Sequence, residues 1–498
     1  MHARKTAFAF TLLALTAGAV ACGGGSGTQS VLGLPADVLR NAASKVPIQH
    51  VVIVIQENRS FDNFFATFPG ADGTTTGKAA AMPSDIAEYC QQNGQRVVTQ
   101  PTTIPLTEVT LTGVGFPKNF ATSFPDLYHL HAGYNLERDH GAMDGWDLSG
   151  FEAAGSGTPT CTYTYQYVNP SDIAPYWQMA KQYVLADHTF QTQGSGSFTS
   201  HQDLIAGGTQ IASNEALIDN PSFFPWGCDA NPPVRTAVIF RDGKYEEYGG
   251  PFPCLTYTTL ATLLDEYDVS WKFYGEPVQK ESGCDKGDTP GIFTAFDAIK
   301  AVRYSSEWGT KVVWPDTKIF NDIKNNQLPA VSWITPDGPD SDHPAEYKHK
   351  PCQIGTIPED DGPSWVTSIV NSIGESAYWD STAIVILWDD WGGYFDHMPP
   401  PQPLNWQGGA GFRVPMLIVS AYVKPHVDHT VYEFGSVLHF IENVWNLPSL
   451  GRNDETSQSI GNAFDFSMSP RTFQKINSKY SLEYFLHRKP SGDPPDTE

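Results

Sequence analysis

The chain has 498 residues, enough for a large hydrophobic core, and its composition of 40% hydrophobic and 12% aromatic residues is that of a folded protein. Its 55 acidic and 31 basic residues give a formal net charge of −24, which would repel the phosphate backbone of a nucleic acid. These values argue against nucleic-acid binding as the main role of the protein.

The N-terminal segment, 1–21, has the features of an export signal peptide. Arg4 and Lys5 precede a short apolar stretch, and small residues come directly before Cys22. The ending AVAC, followed by a Gly/Ser-rich tether and linker over 22–46, resembles a bacterial lipoprotein signal in which Cys22 carries the lipid. We therefore expect an exported protein of the cell envelope or periplasm, attached to the membrane through lipidated Cys22, or a secreted one.

The remaining cysteines predict disulfides. Six are left besides Cys22, an even number in a chain expected to be exported, and this predicts three disulfides. The best local pair is Cys228 with Cys254, and the pairing of the other four stays open. These four are Cys90, Cys161, Cys284 and Cys352. Because no CxxC or Cys/His arrangement is present, a structural zinc site of that kind is not expected.

Apolar runs typical of strands alternate with helical patterns along the chain. The predicted strands are 51–56, 234–240, 269–275, 328–336, 382–390 and 414–422. The predicted helices are 259–267, 363–374 and 435–446. This alternation predicts an α/β fold with a mostly parallel central sheet and helices on both faces. We expect one domain over 47–486, with insertions at 66–125 and 141–235 that wall a site, and a polar tail over 487–498.

Polar residues directly follow two of the most hydrophobic predicted strands. Glu57 and Asn58 end the stretch HVVIVIQEN, and Asp389 and Asp390 end the stretch TAIVILWDD. Ligands of open α/β sheets bind beyond the carboxyl ends of strands. Two adjacent carboxylates repel each other unless a cation lies between them, and oxygen ligands suit a hard divalent ion. The four residues therefore predict a metal site, whereas an ordinary Asp-Gly turn is the alternative for DDWGG.

A run of small residues, QGSGSFTSHQD, is a candidate for the nucleophile. It places Ser195, Ser197 and Ser200 in front of His201. A serine attacks phosphorus or carbon only where a base or a metal helps to remove its proton. The run contains no G-x-S-x-G, which weakens an α/β-hydrolase interpretation, and a flexible Ser/Gly loop is the plainer alternative.

Histidines near the expected strand ends complete the candidate set. His129 stands in DLYHLHAGYNLERDH, His343 follows the strand that ends in WITP, and His397 follows Asp396. Such histidines stabilise charge on a transferring phosphoryl group or protonate a leaving oxygen. A single histidine is more often an ordinary surface or core residue, but the combination with two acidic strand ends favours a site.

The chain resembles the bacterial phospholipase C and acid phosphatase family of phosphoesterases. The stretches that carry the resemblance are ENRSFDNFF, DLYHLH with MDGW, FQTQGSGSFTSHQDLIAG, VSWITPD with SDHPAE, ILWDDWGGYFDHMPPP and FRVPMLIVSAYVK. They extend over nearly the whole chain, from about His50 to Arg452. The resemblance implies an alkaline-phosphatase-like sandwich, with a central sheet between helices and with the metal and nucleophile at strand ends.

The resemblance also implies roles for individual residues. The positions that match the metal ligands are Glu57, Asn58, Asp389 and Asp390. Ser197 matches the nucleophile, which lies four residues before a histidine position, here His201, and Ser195 and Ser200 are neighbouring alternatives. The positions that match the site histidines are His129 and His343, with His397 as a weaker candidate.

These roles imply a metal-dependent hydrolase of phosphate esters that works through a phosphoserine, with Mg, Mn, Ca or Zn as the ion. The substrate would be a small phosphate ester or a phospholipid. The short C-terminus resembles the acid phosphatase branch. A phospholipase C that cleaves headgroup phosphodiesters is the nearest alternative, and a lipoprotein that binds a ligand without turnover is an alternative of another class. A sulfatase is disfavoured because no CxPxR-like stretch is present.

Overall fold

The computed structural model describes most of the chain beyond the first 45 residues. The described ranges are 46–112, 126–151, 158–223, 226–275, 294–343, 361–402 and 406–489. Within these ranges, no helix combines the length and the apolar character needed to cross a bilayer. The expected signal peptide, Cys22, Cys284, Cys352 and most of the polar tail lie outside the described residues.

An eight-stranded sheet forms the centre of the fold. Its strands in chain order are β1 His50–Gln56, β2 Val184–Ala186, β3 Trp271–Tyr274, β4 Val312–Val313, β5 Val331–Ile334, β6 Thr382–Trp388, β7 Met416–Ser420 and β8 His426–Asp428. Their order across the sheet is β4-β3-β5-β1-β6-β7-β2-β8. All strands run parallel except β7, which is antiparallel to both of its neighbours. The predicted mostly parallel α/β sheet is confirmed.

Helices surround this sheet. The α-helices are α1 Phe61–Phe65, α2 Ser84–Gln92, α3 His131–Arg138, α4 Ala174–Gln182, α5 Ser197–Ala206, α6 Leu260–Glu266, α7 Lys300–Arg303, α8 Lys318–Lys324, α9 Gly362–Gly374, α10 Phe434–Trp445, α11 Asn453–Thr456 and α12 Leu482–His487. Short 3-10 turns lie at Asp139–Gly141, Trp146–Leu148, Ala295–Ala298, Gly338–Asp340, Trp379–Ser381 and Ile460–Ala463. The three helices predicted from the sequence correspond to α6, α9 and α10.

Both faces of the sheet are covered. β6 and β7 are buried at every residue, as expected for strands with helices on two sides. In the observed register, Trp333 of β5 and Trp388 of β6 point to opposite faces. Trp333 Nε1 donates to Leu204 O of α5 at 3.1 Å, whereas the Trp388 ring packs edge-on against Tyr176 of α4 with 5.0 Å between ring centroids. Helices α5 and α4 therefore lie on opposite faces.

Two predictions were wrong in part. The predicted strand at 234–240 forms, but it belongs to a separate antiparallel sheet because strands on both sides pair with it. The strands of that sheet, in order, are Tyr245–Glu246, Ala237–Phe240, Glu215–Ile218 and Gln210–Ala212. The segment 141–235 is more than an insertion, because it contributes β2, α4 and α5 to the sandwich.

Two-stranded ladders and disulfides hold the long connections between the main elements in place. Two-stranded ladders join Thr76–Ala79 with Thr102–Pro105, Thr107–Val109 with Gln166–Val168, and Thr189–Phe190 with Tyr432–Glu433. A disulfide joins Cys228 to Cys254, as predicted, and another joins Cys90 to Cys161. Both disulfides tie residues of the Gly- and Pro-rich connections to one another.

Candidate metal and nucleophile site

The two acidic strand ends meet because β1 and β6 are adjacent and parallel. Gln56 pairs with Trp388 at the last rung of the ladder, so both chains leave the sheet at the same edge. Asp389 N donates to Gln56 O at 3.0 Å, and Asn58 N donates to Asp389 Oδ1 at 3.1 Å. The side chains of Glu57, Asn58, Asp389 and Asp390 are all fully buried. The structure therefore brings the four predicted metal ligands together.

The Asn58 side chain sits between oxygen atoms and histidine nitrogens. Its amide oxygen lies 3.2 Å from Glu57 Oε2 and 3.1 Å from Asp389 Oδ1, and its amide nitrogen lies 3.0 Å from His129 Nε2. His129 Nδ1 lies 2.6 Å from Leu127 O, and a donor there leaves Nε2 of the neutral ring as an acceptor for the amide. Three converging oxygens repel one another unless a cation lies between them. Without a cation, the amide would turn over and donate to both carboxylates.

The electrostatics of Asp389 and Asp390 also favour a bound cation. Burial, followed by the charge of Asp389, raises the pKa of Asp390 well above its ordinary value. Burial also acts to raise the pKa of Asp389, but the nearby His201 outweighs it and the pKa is lowered. The two carboxyls therefore resist carrying charge together, and a bound cation removes this conflict.

Ser197 faces this cluster from the first residue of α5. Its Oγ donates to Asp390 Oδ2 at 2.7 Å. The neighbouring candidates point elsewhere, since Ser195 Oγ accepts from Asp219 N at 2.7 Å and Ser200 Oγ accepts from Gln191 Nε2 at 3.2 Å. Among the three serines weighed from the sequence, only Ser197 has a described hydrogen bond to a candidate metal ligand.

His201 lies one turn after Ser197, on the same face of α5. Its Nε2 is 3.1 Å from Glu57 Oε1 and 3.6 Å from Asp389 Oδ2. It is 1% exposed. This contact orients the two carboxylates, so the structure gives His201 the place of a positioning residue or a further ligand of the site.

His343 joins the cluster from the loop after β5. Its Nε2 lies 3.0 Å from the Asn58 side-chain amide and 3.9 Å from Asp126 Oδ2. Asp126 is a buried carboxylate that the sequence interpretation missed. It is the first residue of the stretch DLYHLH, in which only His129 was singled out from the sequence, and the fold brings it behind His343.

The structure places His397 in a different cluster. Its Nδ1 contacts Asp62 Oδ2 at 2.7 Å, and its Nε2 lies 3.4 Å from Asp72 Oδ1. Burial acts to lower the pKa of His397, but the hydrogen bond and charge of Asp62 outweigh it and the pKa is raised. Of the nine predicted site residues, His397 is the one with no described contact to the other eight.

The donor set fits a divalent metal ion. The carboxylates of Glu57 and Asp389 and the amide oxygen of Asn58 converge in a buried space, and His201 adds a nitrogen donor to them. Asp390 joins this group through Ser197 Oγ, which lies 2.7 Å from Asp390 Oδ2 and 3.5 Å from Asn58 Oδ1. Such oxygen donors are the ligand chemistry of hard divalent ions, and Zn also accepts the nitrogen. Asp389 Oδ2 is buried and accepts no hydrogen bond within the described part of the chain. An ion held by Glu57, Asn58, Asp389 and Asp390 would satisfy this oxygen.

The backbone at this edge depends on a glycine. Gly392 has φ +57, and a Cβ placed there would lie 2.4 Å from Asn58 O. Asn58 itself has φ +55, in the left-handed region that non-glycine residues seldom adopt. A side chain at position 392 would therefore push the Asn58 backbone and its amide away from the carboxylates.

We expect Gly392→Ala to reduce kcat/KM by about 100-fold, because a displacement of about 1 Å at a site has an effect of that size. Gly451→Ala is the matched control, since Gly451 has φ +77 but open space around its Cα. Both variants should lose stability in thermal unfolding because of the positive φ, Gly392→Ala more because its Cβ also meets Asn58 O, but only Gly392→Ala should lose activity and metal affinity. Equal activity of the two variants would contradict this account.

Comparison with known proteins agrees with the geometry. The model of the phosphoesterase family matches residues 48–448, which is most of the chain. Phospholipase C A of Mycobacterium tuberculosis is 26% identical over 462 residues, covering 85% of this chain and 78% of the relative. Non-hemolytic phospholipase C of Pseudomonas aeruginosa is 25% identical over 456 residues, covering 84% of this chain and 56% of the relative.

Solved structures give a weaker likeness. An alkaline phosphatase superfamily protein from Vibrio parahaemolyticus matches with a TM-score of 0.31 and 13% identity, covering 58% of this chain and 65% of the other. The phosphonate monoester hydrolase of Silicibacter pomeroyi matches with a TM-score of 0.31 and 9% identity, covering 61% and 73%. Scores of this size do not by themselves establish a common fold.

The family assignment consequently rests on the sequence match over residues 48–448. The candidate site lies within the matched range, from Glu57 near its start to Asp390 beyond the middle of the chain. The chain belongs to the phosphoesterase family and is a hydrolase that acts on phosphate esters.

Proposed function

We propose that the protein is a metal-dependent phosphoesterase that hydrolyses phosphate monoesters through a phosphoserine at Ser197. The observation that carries the proposal is the 2.7 Å hydrogen bond from Ser197 Oγ to Asp390 Oδ2, within the cluster of converging oxygen donors. A serine hydroxyl held against a metal ligand is in the position that nucleophilic catalysis requires.

Each residue of the site has its own role in the proposed reaction. Asp390 accepts the Ser197 hydrogen and aims Oγ at phosphorus, for in-line attack that transfers the phosphoryl group to serine and expels the alcohol. The N-terminus of α5, where Ser197 is the first residue, adds favourable dipole charge for the phosphoryl oxygens. In the form protonated at Nε2, His129 and His343 offset negative charge and supply a proton to the leaving oxygen. A divalent ion bound by the four ligands would act as a Lewis acid.

Hydrolysis of the phosphoserine completes the reaction. Water attacks phosphorus from the side that the alcohol has left and gives a proton to the histidine that protonated the alcohol. The P–Oγ bond breaks, and the proton held by Asp390 returns to Ser197. Phosphate leaves and the hydroxyl of Ser197 is restored. His201 keeps Glu57 and Asp389 oriented throughout, because its Nε2 contacts both carboxylates.

A phospholipase C activity on headgroup phosphodiesters is the second candidate. Relatives named phospholipase C, from Mycobacterium and Pseudomonas, favour it. The same residues would act in both reactions, and only the leaving group would differ. The relative rates for a monoester and a diester separate the two candidates.

Removal of the metal tests the proposal. Release of p-nitrophenol from p-nitrophenyl phosphate should be lost after chelation and restored by one of Mg, Mn, Ca or Zn, because the ligands cannot act without the ion. Faster release from p-nitrophenylphosphorylcholine would assign the phosphodiesterase activity instead. Turnover of the monoester that survives complete chelation would contradict the metal dependence, and no turnover of either ester would favour a ligand-binding protein.

Location outside the cytoplasm forms part of the proposal. The signal-like segment and the position of Cys22 support export with lipid attachment, and two disulfides in the described residues agree with an oxidising compartment. Mass spectrometry of the mature N-terminus tests the anchor. A diacylated Cys22 is expected, and an unmodified terminus that lacks Cys22 would rule it out.

A further inference from the structure

A second group of potential metal ligands lies at the edge of the central sheet. We call Asp72, Asp187, His188 and His429 the His188 cluster. Asp187 and His188 directly follow β2, and His429 directly follows β8, which pairs with β2 in parallel. Among the described residues, the cluster has no contact with Glu57, Asn58, Asp389 or Asp390, and Asp72 lies beside His397, which is itself outside that site.

The donor atoms of the His188 cluster are spaced like a coordination shell. His188 Nε2 lies 3.4 Å from Asp72 Oδ2 and 3.9 Å from Asp187 Oδ1, and His429 Nδ1 lies 2.9 Å from Asp187 Oδ1. In a tetrahedral site with bonds near 2.1 Å, neighbouring donors are about 3.4 Å apart. The three distances bracket that value. The donor atoms of Asp187, His188 and His429 all lie within 4.8 Å of one another, and Asp72 adds an oxygen next to His188.

His188 supplies the observation that an ordinary hydrogen-bond cluster does not explain. Its Nε2 is buried and makes no hydrogen bond within the described residues, although it faces two carboxylates. A protonated Nε2 at that place would be expected to draw in one of the carboxylates. The nitrogen instead stands between Asp72 and Asp187 at distances typical of ligands that share an ion.

The backbone holds the cluster in place before any ion binds. Asp72 N donates to Asp187 Oδ2 at 2.8 Å, and His429 Nδ1 lies beside both oxygens of Asp187, 2.9 Å from Oδ1 and 3.0 Å from Oδ2. Arg413 donates to both Asp72 O at 2.7 Å and Asp187 O at 3.0 Å. His188 O accepts from Tyr432 N at 3.0 Å. Three segments distant in sequence are thus fixed together around the donors.

Residues that lie behind the ligands also support metal binding by the His188 cluster. Asp72 Oδ2 faces His188, whereas its other oxygen, Oδ1, lies 3.4 Å from His397 Nε2. His397 is in turn anchored on Asp62 at 2.7 Å. Hydrogen-bonded partners behind ligands are a regular feature of metal sites, because they fix the orientation of the ligand.

We propose that the His188 cluster binds a first-row transition metal ion, with Zn²⁺ as the best match. Two imidazoles and two carboxylates suit Zn²⁺ better than Mg²⁺ or Ca²⁺, and the two negative charges balance the ion. The ion cross-links the Asp72 loop, the end of β2 and the end of β8. It is separate from the catalytic ion, so its binding stabilises the fold without entering the reaction.

Zinc content tests the proposal on the full-length protein. Metal-free protein is incubated with Zn²⁺ alone and desalted, and zinc per chain is measured by mass spectrometry. Wild type should retain one zinc more than His429→Gln or Asp72→Asn, which change half-exposed side chains that the fold tolerates. His426→Gln is the matched control, because His426 is an exposed histidine of the same strand, β8, outside the cluster.

Two further readouts separate this site from the catalytic one. Loss of a ligand should weaken zinc binding by at least about 100-fold. Zn²⁺ should also raise the thermal midpoint of Asp390→Asn, in which the catalytic site is damaged, but raise it less in Asp390→Asn with His429→Gln. Equal zinc content in wild type, His429→Gln and Asp72→Asn would overturn the proposal.

Discussion

Replacing Ser197 by alanine should reduce kcat by at least about 10³-fold, equivalent to about 4 kcal/mol of transition-state stabilisation. The reason is that Ser197 Oγ is the atom that attacks phosphorus in the proposed reaction, and no other described serine reaches Asp390. Initial rates with p-nitrophenyl phosphate measure the effect. Metal content and the thermal midpoint should stay close to wild type, because the four ligands remain.

Ser200→Ala is the matched control for this experiment. Ser200 lies on the same helix, is equally buried and accepts a hydrogen bond from Gln191, so its loss should affect stability by about 1 kcal/mol and leave kcat nearly unchanged. Quenched reactions should show phosphate on the peptide that contains Ser197. Phosphate on another residue, or near-normal turnover of Ser197→Ala, would remove Ser197 from the role of nucleophile.

Arg413→Met should lower the free energy of unfolding by about 3–5 kcal/mol, the usual effect of breaking a buried ion pair. Arg413 is fully buried, and its Nε lies 3.1 Å from Asp396 Oδ1 while its terminal nitrogen lies 3.2 Å from Asp62 Oδ1. Without it, two buried carboxylates lose their counter-charge. The carbonyls of Asp72 and Asp187 lose a donor as well.

The loss of stability in Arg413→Met should depend on pH. Burial raises the pKa of Asp396 to about 6 although Arg413 opposes the shift, and removal of Arg413 raises it further. A buried carboxyl whose pKa is raised in the folded state makes the protein less stable as the pH rises through that pKa. The defect of Arg413→Met in urea unfolding should therefore be smaller at pH 5 than at pH 8.

An exposed arginine provides the control. Arg241 packs over the Trp406 ring at 4.8 Å and donates to Ser213 O, so Arg241→Met should change stability by less than about 1 kcal/mol. Arg413→Met with the stability of Arg241→Met, or a defect that grows at low pH, would show that the ion pair is not the stabilising element.

The metal-binding edge could be predicted from the sequence because two physical rules converge there. Continuous apolar runs identify β1 and β6 as buried parallel strands, and polar residues at the carboxyl ends of such strands meet at one edge. The resemblance to known phosphoesterases added support for Glu57, Asn58, Asp389 and Asp390, since an ordinary turn was the alternative for DDWGG. The same reasoning could not show that β7 is antiparallel, because its five buried residues look like those of a parallel strand.

The structure was needed to choose the candidate nucleophile among neighbouring serines. Ser195, Ser197 and Ser200 have similar surroundings in sequence, and only the helical geometry of α5 turns Ser197 toward Asp390 while the others face Asp219 and Gln191. The His188 cluster gave no signal at all. Apart from the adjacent Asp187 and His188, its members are separated by more than a hundred residues. Asp187, His188 and His429 come together through the pairing of two three-residue strands, which are too short for any periodicity.

The position of β1 in the sheet determines at what stage of synthesis the site can form. β1 precedes the other described strands in the chain, yet Val51 pairs with Val331 on one side and with Ala383 on the other. A growing chain therefore carries its most hydrophobic strand without partners until most of the protein has been made. Such long-range pairing slows folding and exposes the chain to aggregation in the meantime. The metal ligands assemble in the same late event, so a chain that stops before Asp390 can hold neither the sheet nor the ion.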